Sequence, residues 1–281
     1  MSSHLSLLAP SVPGLVLMAV VMAGLWVVQR RTHDAGVVDV GWTYGVGACA
    51  VLYSLTSDGD PSRRALVAAM VALWSLRLGT YILRDRVLSG DEDGRYQQLR
   101  STWGDGFQTR IFWFFQAQGA LAVAFALPAL AAMTSRRGAL DWLDATGVVV
   151  WLLAIAGEAV ADRQLAAHRA DPSNRGRTCR TGLWRWSRHP NYFFEWLHWW
   201  SYAILAIGSP LWWIAALAPL VMLVFILFVT GIPPTEARAV ASRGEDYRNY
   251  QRTTSAFFPW PPGDPPRILR AVPGRRYSDV Q

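Results

Sequence analysis

Apolar residues run along this chain in seven long blocks, near 11–29, 36–55, 65–84, 110–133, 142–163, 191–208 and 211–230. Each block approaches the roughly 20 residues that a helix needs to cross a bilayer. The first, fourth and seventh are almost free of charge, whereas the second, fifth and sixth carry ionisable residues inside the apolar run. The pattern predicts an all-α integral membrane protein of seven transmembrane helices. A polar, short amphipathic C-terminal helix is expected from about 235 to 252, with Pro233 and Pro234 placed to start it. The Pro-rich stretch from Phe257 excludes a long helix or a central strand. Its Phe257, Phe258 and Trp260 are expected to pack on the protein or at the membrane interface. No internal repeat is visible, so a single membrane domain over 1–281 is expected, with its core at about 140–260 and a tail at 257–281.

Composition supports the membrane reading. The chain is 52% apolar with 15 Trp, and only 17% of it is charged. Roughly a quarter is usual for a soluble domain. All 27 basic residues are Arg and the net charge is +7. They sit in short loops rather than on one polar face, which argues against a nucleic-acid partner. Loops that follow the first, third, fifth and seventh blocks are rich in Arg, whereas the opposite loops carry only Arg63, Arg64, Arg136 and Arg137. The positive-inside rule places the N-terminus outside and the C-terminus in the cytoplasm, and an odd number of spans agrees. The absence of Lys suits a GC-rich bacterial genome, hence a bacterial inner membrane. No secretory signal peptide is evident, so the first run is read as a retained span. Cys49 and Cys179 form no disulfide or metal spacing, and no metal site is expected. The long loops Asp85–Phe107 and Arg169–Pro190 fall on the cytoplasmic side, where a soluble cofactor would arrive.

Three constellations carry candidate chemistry. Asn191, Glu195 and His198 stand at i, i+4 and i+7, on one face of span 6. Glu158, Asp162 and Arg169 share roughly one face of span 5 as it leaves the membrane. A charge at mid-bilayer costs about 2.5–3.5 kcal/mol even on a lenient scale, so such groups read as a functional site. Asp39 and Thr43 open span 2, and Arg77, Tyr81 and Arg84 line the inner end of span 3. Asp39 is either the partner of an arginine across the two spans or a proton donor, since a buried carboxyl can stay protonated. The C-terminal helix, with Glu236, Arg238, Glu245, Asp246 and Tyr247, reads mostly as a solvated face, with Tyr247 and Arg238 as candidates to close over a cofactor. No G-x-G-x-x-G, P-loop or H-E-x-x-H occurs. Any nucleotide would be held by helix-borne carboxylates and by Arg, whose planar fork suits phosphate.

The runs DRQL (162–165), NRGR (174–177) and GLWRWSRHPNYFFEW (182–196) resemble the bacterial membrane family grouped with the steroid 5α-reductase C-terminal domains. VDVGWTYGVG (38–47), RLGTYILR (77–84) and GEDYRNYQRTTSAFFPW (244–260) are similar to the same family. The resemblance implies a seven-helix membrane fold that takes NADPH from the cytoplasm and transfers hydride to a carbon–carbon double bond conjugated to a ketone. It implies that Asp162, Arg169, Arg177, Asn191 and Glu195 match positions that hold NADPH. Glu158 stands where the steroid enzymes carry an amide. Arg188, His189 and Tyr247 complete the candidate cofactor set. The steroid enzymes pair a Glu on span 2 with a Tyr on span 3; here the nearest residues are Asp39 and either Arg77 or Tyr81. Their C-terminal His and Tyr have no clear counterpart, and Glu236 stands in that region.

The expected function is therefore an NADPH-dependent reductase of a lipophilic, steroid-like or isoprenoid-like enone, with the bilayer as its other partner. Two alternatives remain at this stage. The R-H-P-x-Y core also resembles the isoprenylcysteine carboxyl methyltransferases, which use S-adenosylmethionine. A membrane transporter or scaffold is the non-enzymatic reading; the one-sided Arg distribution and the lack of a repeat weigh against it.

Overall fold

The computed structural model describes residues 6–88 and 92–263. These are helical, and no strand occurs among them. The helices are α1 (Ser11–Thr32), α2 (Val37–Thr56), α3 (Pro61–Ile82), α4 (Gly94–Trp103), α5 (Phe107–Met133), α6 (Trp142–Ala170), α7 (Pro190–Leu205), α8 (Trp212–Val224), α9 (Ile232–Arg243) and α10 (Glu245–Thr253). A helix lies at each of the seven apolar blocks. Among the described residues, five helical stretches are long and apolar enough to cross a membrane: Ser11–Thr32, Pro61–Ile82, Gly94–Met133, Trp142–Ala170 and Trp212–Arg243. The other two blocks are weaker for visible reasons. α7 has only 16 residues, and α2 is diluted by Asp39, Thr43, Tyr44 and several glycines. Several long apolar helices suit an integral membrane protein. On α1, Val12, Val16 and Val20 are exposed at helical spacing, as a lipid-facing stripe would be.

The chain divides into two compact units. One is built on residues up to Asp144 with Tyr202–Ala216; the other is built on Ala145–Ser201 and residues from Leu217 onward. In the first unit, α1, α2, α3 and α5 pack on one another. Small residues on α2 permit the close approach: a Cβ at Gly45 would lie 2.3 Å from the Met18 methyl, and one at Gly47 would lie 2.5 Å from Ser75 Oγ. Ser75 Oγ in turn donates to the Thr43 carbonyl at 2.7 Å. Asp60 caps α3 by accepting from the Arg63 amide, with Pro61 in the first turn. Arg63 is fully buried and forks onto both oxygens of Asp144 at 2.8 Å. Arg137 donates to the same carboxylate at 3.1 Å and to the Leu205 carbonyl at 2.9 Å. Two of the four arginines assigned to the outer loops are thus tied into a buried ionic knot.

Two segments differ from their sequence reading. The stretch read as an irregular loop at 85–107 contains helix α4. Tyr96 is its one buried residue, so no hydrophobic period marks it in sequence. The single helix expected at 235–252 is two, α9 and α10, broken at Gly244, whose φ of 56° is left-handed.

Candidate functional site

The second unit holds every residue of the candidate cofactor set. Helix α6 has 29 residues. At 1.5 Å per residue that is about 44 Å, well beyond a 30 Å hydrocarbon core. Its polar face runs from buried Glu158 through half-buried Asp162 to exposed Arg169. Asn191, in the first turn of α7, donates its side-chain amide to Asp162 at 3.4 Å. One turn on, Glu195 accepts from the Trp199 indole at 3.0 Å, and its carboxylate lies 4.0 Å from His198 Nδ1. Glu195 and His198 thus lie side by side on the stripe that the sequence marks, alongside a tryptophan that it does not mark.

Beyond Asp162 the α6 face reaches a pocket of about 390 Å³, lined by Leu165, His168 and Arg169, by Asp171 and Arg175–Arg177 of the following loop, and by Arg243 of α9. Asp171 opens that loop by accepting from the Ser173 amide, and hydrogen bonding by the Ser173 side chain, then by its amide, holds the carboxyl below the usual carboxylate range. Asn174 donates to the His168 carbonyl, and His168 Nε2 lies 3.3 Å from the Arg177 carbonyl. Gly176 takes a φ of 77° that an L side chain would strain. The structure thus brings Arg169 and Arg177 to one cavity with His168, which neighbours the span-5 cluster in sequence, and adds Arg175 and Arg243, which sequence reasoning did not single out.

Arg188, His189 and Tyr247 occupy a different setting. All three are buried around Glu236, itself only 1% exposed. Arg188 Nε donates to Glu236 Oε1 at 2.6 Å, His189 Nε2 approaches the same oxygen at 3.2 Å, and the Tyr247 hydroxyl donates to it at 3.3 Å. Gln251 donates to Oε2 at 2.7 Å. Arg188 further binds the Gln251 and Thr254 carbonyls, while its amide donates to the Ser255 carbonyl. The His189 ring stacks on Tyr192, with the planes 6° apart. Burial, reinforced by the neighbouring Arg188 charge and opposed by Glu236, holds the His189 imidazole below its ordinary pKa, in the neutral form. Glu236 was read as part of a solvated face. It is the centre of a buried polar hub, because α9 turns Glu236 and Ala239 inward while Arg238 stays exposed. Sequence carries one signal for this: Arg188 and His189 adjoin a proline-started apolar helix, and so need an acid from elsewhere.

The hub pins the loop at 178–189 to the C-terminal helices. Thr178 donates its amide to Asp246 at 2.8 Å, and Arg180 donates to the same carboxylate at 2.8 Å. These contacts lower the Asp246 pKa against the opposing effect of partial burial. The tail continues the clamp. Ser187 donates to the Phe257 carbonyl, and the Trp260 amide donates to the Trp186 carbonyl at 2.9 Å. Phe257 packs on Ile226 and Ile232, within reach of Phe193 and Trp196. The described start of the tail, through residue 263, thus packs on the protein, one of the two sequence expectations, while 264–281 lie outside the described residues.

The two candidate catalytic residues lie in the first unit. Asp39 accepts from Arg95 at 2.9 Å and from the Tyr96 hydroxyl at 2.9 Å. Both partners come from α4, the helix the sequence reading did not contain. Tyr81 is 42% exposed near the end of α3. The chain matches no curated protein and no solved structure. A family model described as "Protein of unknown function (DUF1295)" matches residues 25–254, most of the chain, and the protein belongs to that family.

Proposed function

We propose that this protein is an NADPH-dependent membrane reductase of a carbon–carbon double bond conjugated to a carbonyl in a lipophilic substrate. In this reading seven helices cross a bacterial inner membrane, with the N-terminus outside and the cofactor side in the cytoplasm. The observation that carries it is the polar face of α6, which leads from Glu158 and Asp162 directly into the cationic pocket at Arg169 and Arg177. The resemblance of DRQL, NRGR and the 182–196 run to the steroid 5α-reductase group supports the same assignment.

The residues fit such a cofactor in their chemistry. The pocket offers guanidinium forks for phosphate oxygens, and its volume lies in the range of small-molecule sites. When bound, NADPH would supply a hydride. Arg169 and Arg177 hold phosphate; Asp162 takes a ribose hydroxyl or the carboxamide; Asn191, Glu195 and Glu158 supply further polar contacts along the face. Arg188, His189 and Tyr247 act as positioning residues, fixing the loop and the C-terminal helices through Glu236. Asp39, with Tyr81, is assigned the proton for the substrate carbonyl on the sequence argument alone. General acid catalysis of this kind is worth about 10²–10⁴ in rate.

Thermal-shift titration of the purified protein with NADPH and with S-adenosylmethionine tests the reading. Stabilisation by NADPH, followed by its oxidation when a lipophilic enone is added, is the expected result. No stabilisation by NADPH overturns it, and stabilisation by S-adenosylmethionine instead promotes the methyltransferase.

A further inference from the structure

The pocket of the second unit holds more positive charge than the sequence argument asked of it. Arg169, Arg175, Arg177 and Arg243 all line it, and among the described residues none of the four makes an ion pair. Its one carboxylate, Asp171, accepts from the Ser173 amide and offsets only one of the four charges. By contrast Arg180 and Arg188, from the same loop, are matched to Asp246 and Glu236. Four like charges gathered around one cavity repel one another, and a multiply charged anion relieves that repulsion.

Arg243 is the informative member. It comes from the end of α9 rather than from the loop. Its guanidinium carbon stands 5.0 Å from the centre of the Tyr247 ring, and Tyr247 is itself anchored to Glu236. The fork is therefore held in place rather than waving in solvent. Its Nε is shielded from solvent and has no acceptor among the described residues. A shielded donor of this kind is costly unless an acceptor arrives.

We propose that Arg243 joins Arg169, Arg175 and Arg177 in one subsite for a multiply charged phosphate ligand, and that Arg243 makes this subsite favour a ligand bearing a second phosphate monoester over the same ligand with only one. A phosphate monoester carries about −1.5 to −2 charge near neutral pH, enough to offset about half or more of the net charge left once Asp171 is counted against the four arginines. The inference rests on the nucleotide reading for the identity of the ligand, whereas the subsite chemistry would accept a nucleotide or a lipid headgroup alike.

The test uses the full chain in zwitterionic nanodiscs, with adenosine 2′,5′-bisphosphate, adenosine 5′-monophosphate and inorganic pyrophosphate as probes. The bisphosphate is expected to bind about 10-fold or more tightly than the monophosphate, and Arg243→Ala to erase that preference while hardly changing monophosphate affinity. Arg243→Lys should restore part of it. Arg175→Ala provides a second variant should Arg243→Ala fail to fold, and raised salt should weaken the bisphosphate most. Equal affinities for the two adenosine probes, or a preference that survives Arg243→Ala, overturn the subsite. Should NADPH bind Arg243→Ala as tightly as wild type, the subsite falls and the reductase reading stands. Should pyrophosphate alone bind, in an Arg243-dependent way, the subsite stands and the nucleotide reading falls. Arg243-dependent displacement of the bisphosphate by phosphatidate in the nanodisc would support the subsite with lipid as its source.

Discussion

Arg188 and Arg177 come from one loop of one compact unit, yet they live in opposite electrostatic settings. Arg188 is 1% exposed, pairs with Glu236 and caps carbonyls at the end of α10. Arg177 is exposed at a cavity with three other guanidinium groups, and makes no ion pair among the described residues. Sequence puts both in the same basic run and on the same list of cofactor ligands. The structure separates them by what already satisfies them. An arginine whose donors are used inside the protein holds the fold, and one facing a cavity with its donors unspent is available to a ligand.

Breaking the hub should have the largest effect on stability. Replacing Glu236 with Ala leaves Arg188 buried with its charge uncompensated, which costs about 3–5 kcal/mol. Denaturation in detergent should show that loss in Glu236→Ala, and the double change Glu236→Gln with Arg188→Met should be milder because it removes both buried charges. Next in size is the pocket. The double change Arg169→Ala with Arg177→Ala should weaken nucleotide binding by about 100-fold or more and leave the melting temperature almost unmoved. A large melting change in that variant would erase the distinction drawn between the two groups of arginines.

The pH dependence should follow the hub as well. His189 has its folded pKa depressed below the unfolded value of about 6.5. The unfolded chain therefore binds a proton that the folded one refuses. Stability is fully present above about pH 6.5 and falls as pH is lowered through that value. His189→Gln should flatten this part of the profile. The smallest expected effect is Tyr247→Phe, which removes one hydroxyl bond to Glu236 at 3.3 Å and should cost about 0.5–1.5 kcal/mol. The ring beneath Arg243 stays, so bisphosphate preference should be almost unchanged.

The helical class and the position of each apolar block were legible because long uncharged runs and bracketing polar loops are local features. Helix α3 starts at Pro61, ahead of its apolar block, because Asp60 caps its first turn. Helix α4 was not, because it buries Tyr96 alone and owes its place to Asp39, far away in sequence. The i, i+4 logic found Glu158 with Asp162 and Asn191 with Glu195, and the structure joins the two stripes through Asp162 and Asn191. It could not find Glu236 as the partner of Arg188 and His189, since that contact spans 48 and 47 residues. Nor could it find Arg243 at the pocket, because its role depends on a helix that ends at Gly244 and on the ring of Tyr247 beneath it.

The most direct test of the account is NADPH binding to the purified protein, followed by nucleotide fluorescence in detergent, for wild type, for Arg169→Ala with Arg177→Ala, and for Tyr247→Phe. The account predicts saturable binding to wild type, loss in the double variant and near-wild-type binding in Tyr247→Phe. Absence of binding to folded wild type, or binding that survives loss of both arginines, would contradict it.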